Sequence, residues 1–214
     1  MILDSFPVGP LGANCTILGD EKSGEALVFD PGDEARRIHQ RLESHKLAVK
    51  QILLTHAHLD HVGAAAALKK LTGAPIYLNE NDLPLLEAAP QQAAWMGMTP
   101  PAIEPPDFFL THGQNVGTDA LPVTVLFTPG HTQGGVCFYL VKEELLIAGD
   151  TLFAGSVGRT DLPGGNSAQL LESIRKQLLP LPDATRVICG HGPTTSIGRE
   201  RRQNPYLSGT IFNL

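Results

Sequence analysis

One stretch, Thr55-His56-Ala57-His58-Leu59-Asp60-His61, constrains this chain more than any other. It follows the apolar run Gln51-Ile52-Leu53-Leu54, which reads as a buried strand. It leads into residues 62–71, an Ala-rich segment of good helix formers that stops at Gly73. Three imidazoles and a carboxylate therefore sit on a strand-to-helix turn, where α/β layers bind ligands. His56 and His58 are two apart, so in an extended segment both rings leave on the same side. Asp60 and His61 diverge from that direction, and one stretch can serve two adjacent metal positions. The plain alternative makes Asp60 a helix N-cap and the histidines ordinary loop residues. With His and Asp each at a few per cent usage, chance produces the pattern in roughly one chain in ten thousand. Histidine being the commonest metal ligand, the metal reading is preferred.

At 214 residues the chain suits one domain, residues 1–214, with a substantial core. Hydrophobic content of 42% and charged content of 18% suit a globular protein. No apolar stretch approaches membrane-spanning length, and the first seven residues carry neither a basic region nor a long apolar run. Cys15, Cys137 and Cys189 are an odd, widely spaced set, unlike a disulfide framework. Cys137 and Cys189 lie in apolar runs and read as small buried hydrophobes. These features lead to the expectation of a cytoplasmic protein. A net charge of −6 without a Lys/Arg stripe argues against a nucleic-acid surface.

Short strands at 13–18 and 25–30 flank a hairpin loop, followed by the turn Asp30-Pro31-Gly32-Asp33. A helix is expected from 34 to about 45, with Ile38 and Leu42 on one apolar face and His39 and His45 solvated. Next come a strand at 75–78 and a helix from 83 to about 95. The Pro-rich interval 97–117 reads as an irregular loop lying over something, with His112 a loop residue. Strands follow at 123–127, 136–141 and 144–148, then a helix at 166–179, a strand at 186–189 and a helical turn at about 197–203. Strands concentrate in two runs, each followed by helices. That suggests two packed sheets with helices outside, although periodicity alone supports only mixed α and β.

His131 follows the strand at 123–127 through a Pro-Gly turn, Asp150 follows 144–148, and His191 follows 186–189. Singly these are ordinary loop or turn residues. Ligands at strand ends from separate parts of a chain can nevertheless converge on one sheet edge. Together with the central stretch, the blocks Thr128-Pro129-Gly130-His131-Thr132, Gly149-Asp150-Thr151-Leu152-Phe153 and Gly190-His191-Gly192 carry a resemblance over nearly the whole chain. It is similar to the metallo-β-lactamase superfamily, specifically to its glyoxalase II-like hydrolases. The resemblance implies an α+β fold, the four-layer αβ/βα sandwich.

It also implies two divalent metal ions per chain, zinc first, with iron and manganese as alternatives. By resemblance His56, His58 and His131 hold one ion. Asp60, His61 and His191 hold the other, Asp150 bridges them, and Asp60 and Asp150 are the carboxylates with a catalytic part. The implied reaction is hydrolysis of a small-molecule thioester, S-D-lactoylglutathione or a related acyl thioester, by a water activated between the two metals. A thiolate leaves without a strong general acid. The Gly-rich run 154–166 reads structurally as a loop with Arg159 solvated; functionally, Arg159 would meet an anionic part of the substrate. Full-length glyoxalase II carries a longer C-terminal helical domain and a different sequence after the bridging Asp. The resemblance is accordingly to the short bacterial subgroup. The runner-up is a persulfide dioxygenase with one iron, whose ligands would be His56, His131 and Asp150. The sequence does not address oligomeric state.

Overall fold

A strand that is apolar on both faces needs cover on both sides, and several strands of this chain are of that kind. The computed structural model describes residues 1–208. Its first half runs β1 (Ile2–Val8), β2 (Ala13–Gly19), β3 (Glu25–Phe29), α1 (Ala35–Ser44), β4 (Ala48–Leu53), α2 (Leu59–Val62) and α3 (Ala65–Thr72). It continues with β5 (Ile76–Leu78), α4 (Leu83–Glu87), α5 (Ala89–Trp95) and β6 (Phe108–Phe109). The six strands form one sheet in sequence order. Pairing is antiparallel through β3 and parallel from there to β6. Helices lie in the connections between the parallel strands, because such connections must cross over the sheet.

The second half adds β7 (Asn115–Gly117), β8 (Pro122–Phe127), β9 (Val136–Leu140), β10 (Leu145–Gly149) and a small hairpin, β11 (Leu152–Phe153) with β12 (Ser156–Val157). After α6 (Ser167–Ser173) come β13 (Arg186–Cys189), β14 (Thr195–Ser196) and α7 (Ile197–Gln203). The second sheet has the order β14-β13-β10-β9-β8-β7.

Side-chain alternation builds three apolar layers from these strands. On β3, Leu27 and Phe29 face the second sheet, while Ala26 and Val28 face the helices. On β9, Val136, Phe138 and Leu140 meet them from the other side, with Phe29 and Phe138 edge to face at 5.2 Å. Cys137, Tyr139, Leu146 and Val187 face outward onto Leu170, Ile174 and Ile197 of the second helical layer. Helix, sheet, sheet, helix is the expected four-layer sandwich. All three cysteines are buried and free, and among the described residues no helix is long and apolar enough to cross a membrane.

Several local expectations need correction. The helix expected over 62–71 breaks at Gly63, where the chain passes against the Gly32 backbone and the Ala64 N–H donates to the Pro31 carbonyl at 2.9 Å. Asp60 does not cap it: His58 holds the N-cap position of α2. The helix expected from 83 to 95 is two, with Pro90 in the first turn of the second. The interval 97–117 is irregular except for β6 and β7, which pair at the sheet edges. Strands of two and three residues carry no readable periodicity. The helix at 166–179 is capped by the Asn166 side chain but turns to a π-helix over Ile174–Leu178.

Candidate metal centre

Strand direction decides where the chemistry-bearing residues meet. β8 and β10 are each antiparallel to β9, and β13 is parallel to β10, so all three end on the same side. His131, Asp150 and His191 follow those ends. The turn after β4 joins them from the other sheet, since the Val136 N–H donates to the Thr55 carbonyl at 2.9 Å. The Asn14 N–H donates to the Gly190 carbonyl at 2.7 Å, tying the β1–β2 turn to the same edge.

There the structure brings together all seven residues singled out above. Nitrogens of His56, His58 and His131 lie within 4.8 Å of one another, as do ligand atoms of Asp60, His61 and His191, and of His56, His61 and Asp150. His58 Nδ1 is 2.9 Å from His131 Nε2, and His191 Nε2 is 3.0 Å from Asp60 Oδ2. Asp150 stands between the groups, with Oδ2 3.6 Å from His131 Nε2 and Oδ1 3.4 Å from His61 Nε2. Gly190 must be glycine, because a Cβ there would collide with Asp150 Oδ1.

Hydrogen bonds on the far side of three rings fix which nitrogen faces the centre. The Thr55 hydroxyl donates to Asp30 Oδ2 at 2.7 Å, so its oxygen accepts from His56 Nδ1–H at 3.0 Å and leaves Nε2 inward. His61 Nδ1–H donates to Asp30 at 3.0 Å, and His131 Nδ1–H to the Arg159 carbonyl at 2.7 Å. Asp30, buried and in the left-handed region at φ 48°, thereby orients one ring directly and another through Thr55. Asp82, also buried, accepts from Ala57 N–H (3.0 Å), the Thr132 hydroxyl (2.9 Å) and Gly134 N–H (2.6 Å). It clamps the turn carrying His56 and His58 to the one carrying His131. Sequence reasoning saw Asp30 only as a turn residue and Asp82 only as a helix start. Asp30 left a trace, a carboxylate closing an apolar strand as Asp150 does; Asp82 left none.

Burial pushes His56 well below its usual range, with the neighbouring imidazoles adding to it, and lowers His58 to about 4. Burial would also lower His61, but Asp150 and Asp30 overcome it and raise that ring well above its usual value. Burial opposes ionisation of Asp60 and Asp150 as well. The His191 hydrogen bond pulls Asp60 below the carboxylate range, and the His61 charge does the same for Asp150. Asp60 in turn raises His191. His56 Nε2, His61 Nε2 and Asp150 Oδ1 are buried with no hydrogen-bond partner, a costly arrangement that a cation held between them relieves. Imidazoles, which lose their proton on binding a metal, and ionised carboxylates, with no thiolate, suit a divalent ion. The residues fit a metal.

Arg159 contributes differently. Its carbonyl positions His131, but its guanidinium lies exposed and pairs with Asp161 at 2.8 and 2.7 Å, at the edge of a cavity it shares with Tyr206. His112 accepts from the Phe127 N–H at 3.2 Å, and His39 and His45 lie by Glu43 and Asp4. None of the three reaches the centre.

The profile of the family described as Metallo-beta-lactamase superfamily matches residues 8–191. The chain is 42% identical to hydroxyacylglutathione hydrolase GloC of Haemophilus influenzae, over 97% of this chain and 99% of that one. It is 40% identical to the probable metallo-hydrolase YqgX of Bacillus subtilis, over 95% and 96%. Among solved structures it is similar to the BLEG-1 B3 metallo-beta-lactamase, at TM-score 0.91 and 38% identity, over 97% of this chain and 100% of that one. It is also similar to TTHA1623 in a di-iron-bound form (0.87, 40%, covering 94% and 98%). ETHE1 from Myxococcus xanthus follows at 0.81 and 28%, covering 100% and 92%.

Proposed function

This chain belongs to the metallo-beta-lactamase superfamily, and from that membership we propose that it is a metal-dependent thioester hydrolase of the glyoxalase II type. Its substrate in this reading is S-D-lactoylglutathione or a related acyl thioester. Water adds across the acyl carbon–sulfur bond, the C–S bond breaks, and acid and thiol leave. The observation that carries the proposal is the full set of seven converging side chains, two groups with Asp150 between them. Likeness to a named hydroxyacylglutathione hydrolase across nearly both whole chains supports it.

In this proposal His56, His58 and His131 would hold one divalent ion, Asp60, His61 and His191 would hold a second, and Asp150 would serve both. Ions so bound supply Lewis acidity towards the acyl oxygen and lower the pKa of a water. The remaining work falls to the chain. Thr55, Asp30 and the Arg159 carbonyl hold three rings with Nε2 inward, so no reorientation accompanies the reaction. Asp60, held ionised beside His191, would be the carboxylate nearest that second group to take the proton the water gives up. No general acid is needed at sulfur. We propose that Arg159, by exchanging Asp161 for a substrate carboxylate, grips the glutathione part.

The second reading, a mononuclear-iron persulfide dioxygenase acting on glutathione persulfide, draws support from the likeness to ETHE1 along the whole chain. Protein purified without added metal separates the two by metal content, lactoylglutathione hydrolysis and oxygen uptake on glutathione persulfide. Two divalent ions per chain with thioester turnover is the expected result. One iron per chain, oxygen uptake and no thioester turnover would replace the hydrolase with the dioxygenase.

A further inference from the structure

A cavity of about 200 Å³ adjoins the centre on the side of Asp60. Three separate segments enclose it: the β1–β2 turn, the Gly32 and Leu59–Gly63 backbone, and the Pro-rich loop after α5. That loop is pinned at both ends. The Met98 N–H donates to the Ala93 carbonyl at 2.8 Å, and Asp107 accepts from Lys69 (2.7 Å) and from the Ile76 N–H (2.8 Å). Met98 and Ile103 pack against the helix-side core, so the loop is held over the cavity.

The lining is mostly apolar, from Val8, Leu11, Leu59, Met98 and Pro101, and Leu11 leaves 43% of its surface in water. The charged residues that line it are Asp33 and Asp60, and among the described residues no cation does. Arg37 donates to the Pro7 carbonyl and is held by Glu34 rather than lining the space. A glutathione moiety carries carboxylates, which Asp33 repels and no cationic side chain lining this space pairs. Cavities that enclose whole drug-sized ligands run from about 300 Å³ upward, so this one suits one arm of a substrate.

We propose that this cavity is the acyl subsite of the enzyme, taking an uncharged hydrocarbon or aryl acyl group larger than lactoyl. The inference rests on the thioester reading above and names the substrate class for that same site. Asp60 joins the two, lining the cavity while its Oδ2 lies 3.0 Å from His191. An acyl carbon at the centre thus places its substituent against Leu59, Met98 and Leu11, and the thiol arm leaves on the opposite side.

The test is a series of N-acetylcysteamine thioesters, whose thiol arm is small and neutral: acetyl, butyryl, hexanoyl and succinyl. With the metal-loaded protein, kcat/KM is expected to rise about two- to fourfold per added methylene up to butyryl, the upper figure corresponding to full burial. The succinyl ester, which carries its charge into the cavity, is expected about tenfold or more below butyryl. Leu11→Asp, at an exposed position, is expected to flatten the chain-length slope. A flat or falling slope beside measurable lactoylglutathione hydrolysis would overturn the subsite and leave the hydrolase standing. Succinyl turned over as fast as butyryl would do the same. No turnover of any thioester would take down both.

Discussion

Asp150 and Arg159 lie nine residues apart in sequence, and the structure treats them in opposite ways. His56, His61 and His131, around Asp150, are buried, and each carries a hydrogen bond on the side facing away from the centre. Arg159 carries its charge at the surface, paired with Asp161, while its backbone alone takes part in the centre. The difference teaches where geometry is specified. Three of the rings that converge on the candidate metal centre are held from behind. A charge at the rim is left able to change partners, because an exposed pair contributes little to holding it in place.

The contrast breaks most completely if a centre residue proves dispensable. His58→Ala removes one of the inward nitrogens, and thioester hydrolysis is expected to fall more than a hundredfold with loss of bound metal, since outer partners alone cost about ten- to a hundredfold. Metal analysis beside turnover checks it, and retained iron with oxygen consumption would sink the hydrolase reading. Asp150→Asn keeps the shape but removes the charge facing both groups. Metal stoichiometry is expected to drop below two per chain, and a variant with both ions and full rate would rule out the shared role.

Asp30→Asn asks whether the backing matters as much as the centre. It is expected to cost about ten- to a hundredfold in metal affinity, read by competition with a chelator, because His61 loses an anionic acceptor and Thr55 its partner. Unchanged affinity would make Asp30 a strut for the turn alone. The smallest effect belongs to the rim. Arg159→Ala is expected to raise KM for a glutathione thioester about five- to tenfold with metal content unchanged. A neutral thioester should be hydrolysed alike by both proteins. Equal losses on both substrates would place Arg159 in the loop's structure, and no loss on either would make it a solvated charge.

Much of the centre was legible in the chain because its residues are clustered or follow strands. Four stand within six positions, and the other three each follow an apolar run. The strands were legible for the same reason, β13 matching residue for residue. The misread places share another cause. Gly63 breaks a helix because the Gly32 turn crosses it, and β6 is a strand only because β5 lies beside it. Neither neighbour is close in sequence.

The sequence by itself determined which side chains could bind a metal and which strands had to be covered on both faces, since both follow from residue type and local spacing. Only the tertiary structure decided which nitrogen of each ring faces inward, and that Asp30 and Asp82 stand behind the centre. It also decided that an apolar, cation-free cavity opens beside Asp60. The physical reason is that a hydrogen bond between residues 31 or 52 positions apart depends on the packing of two sheets, and no local pattern records it.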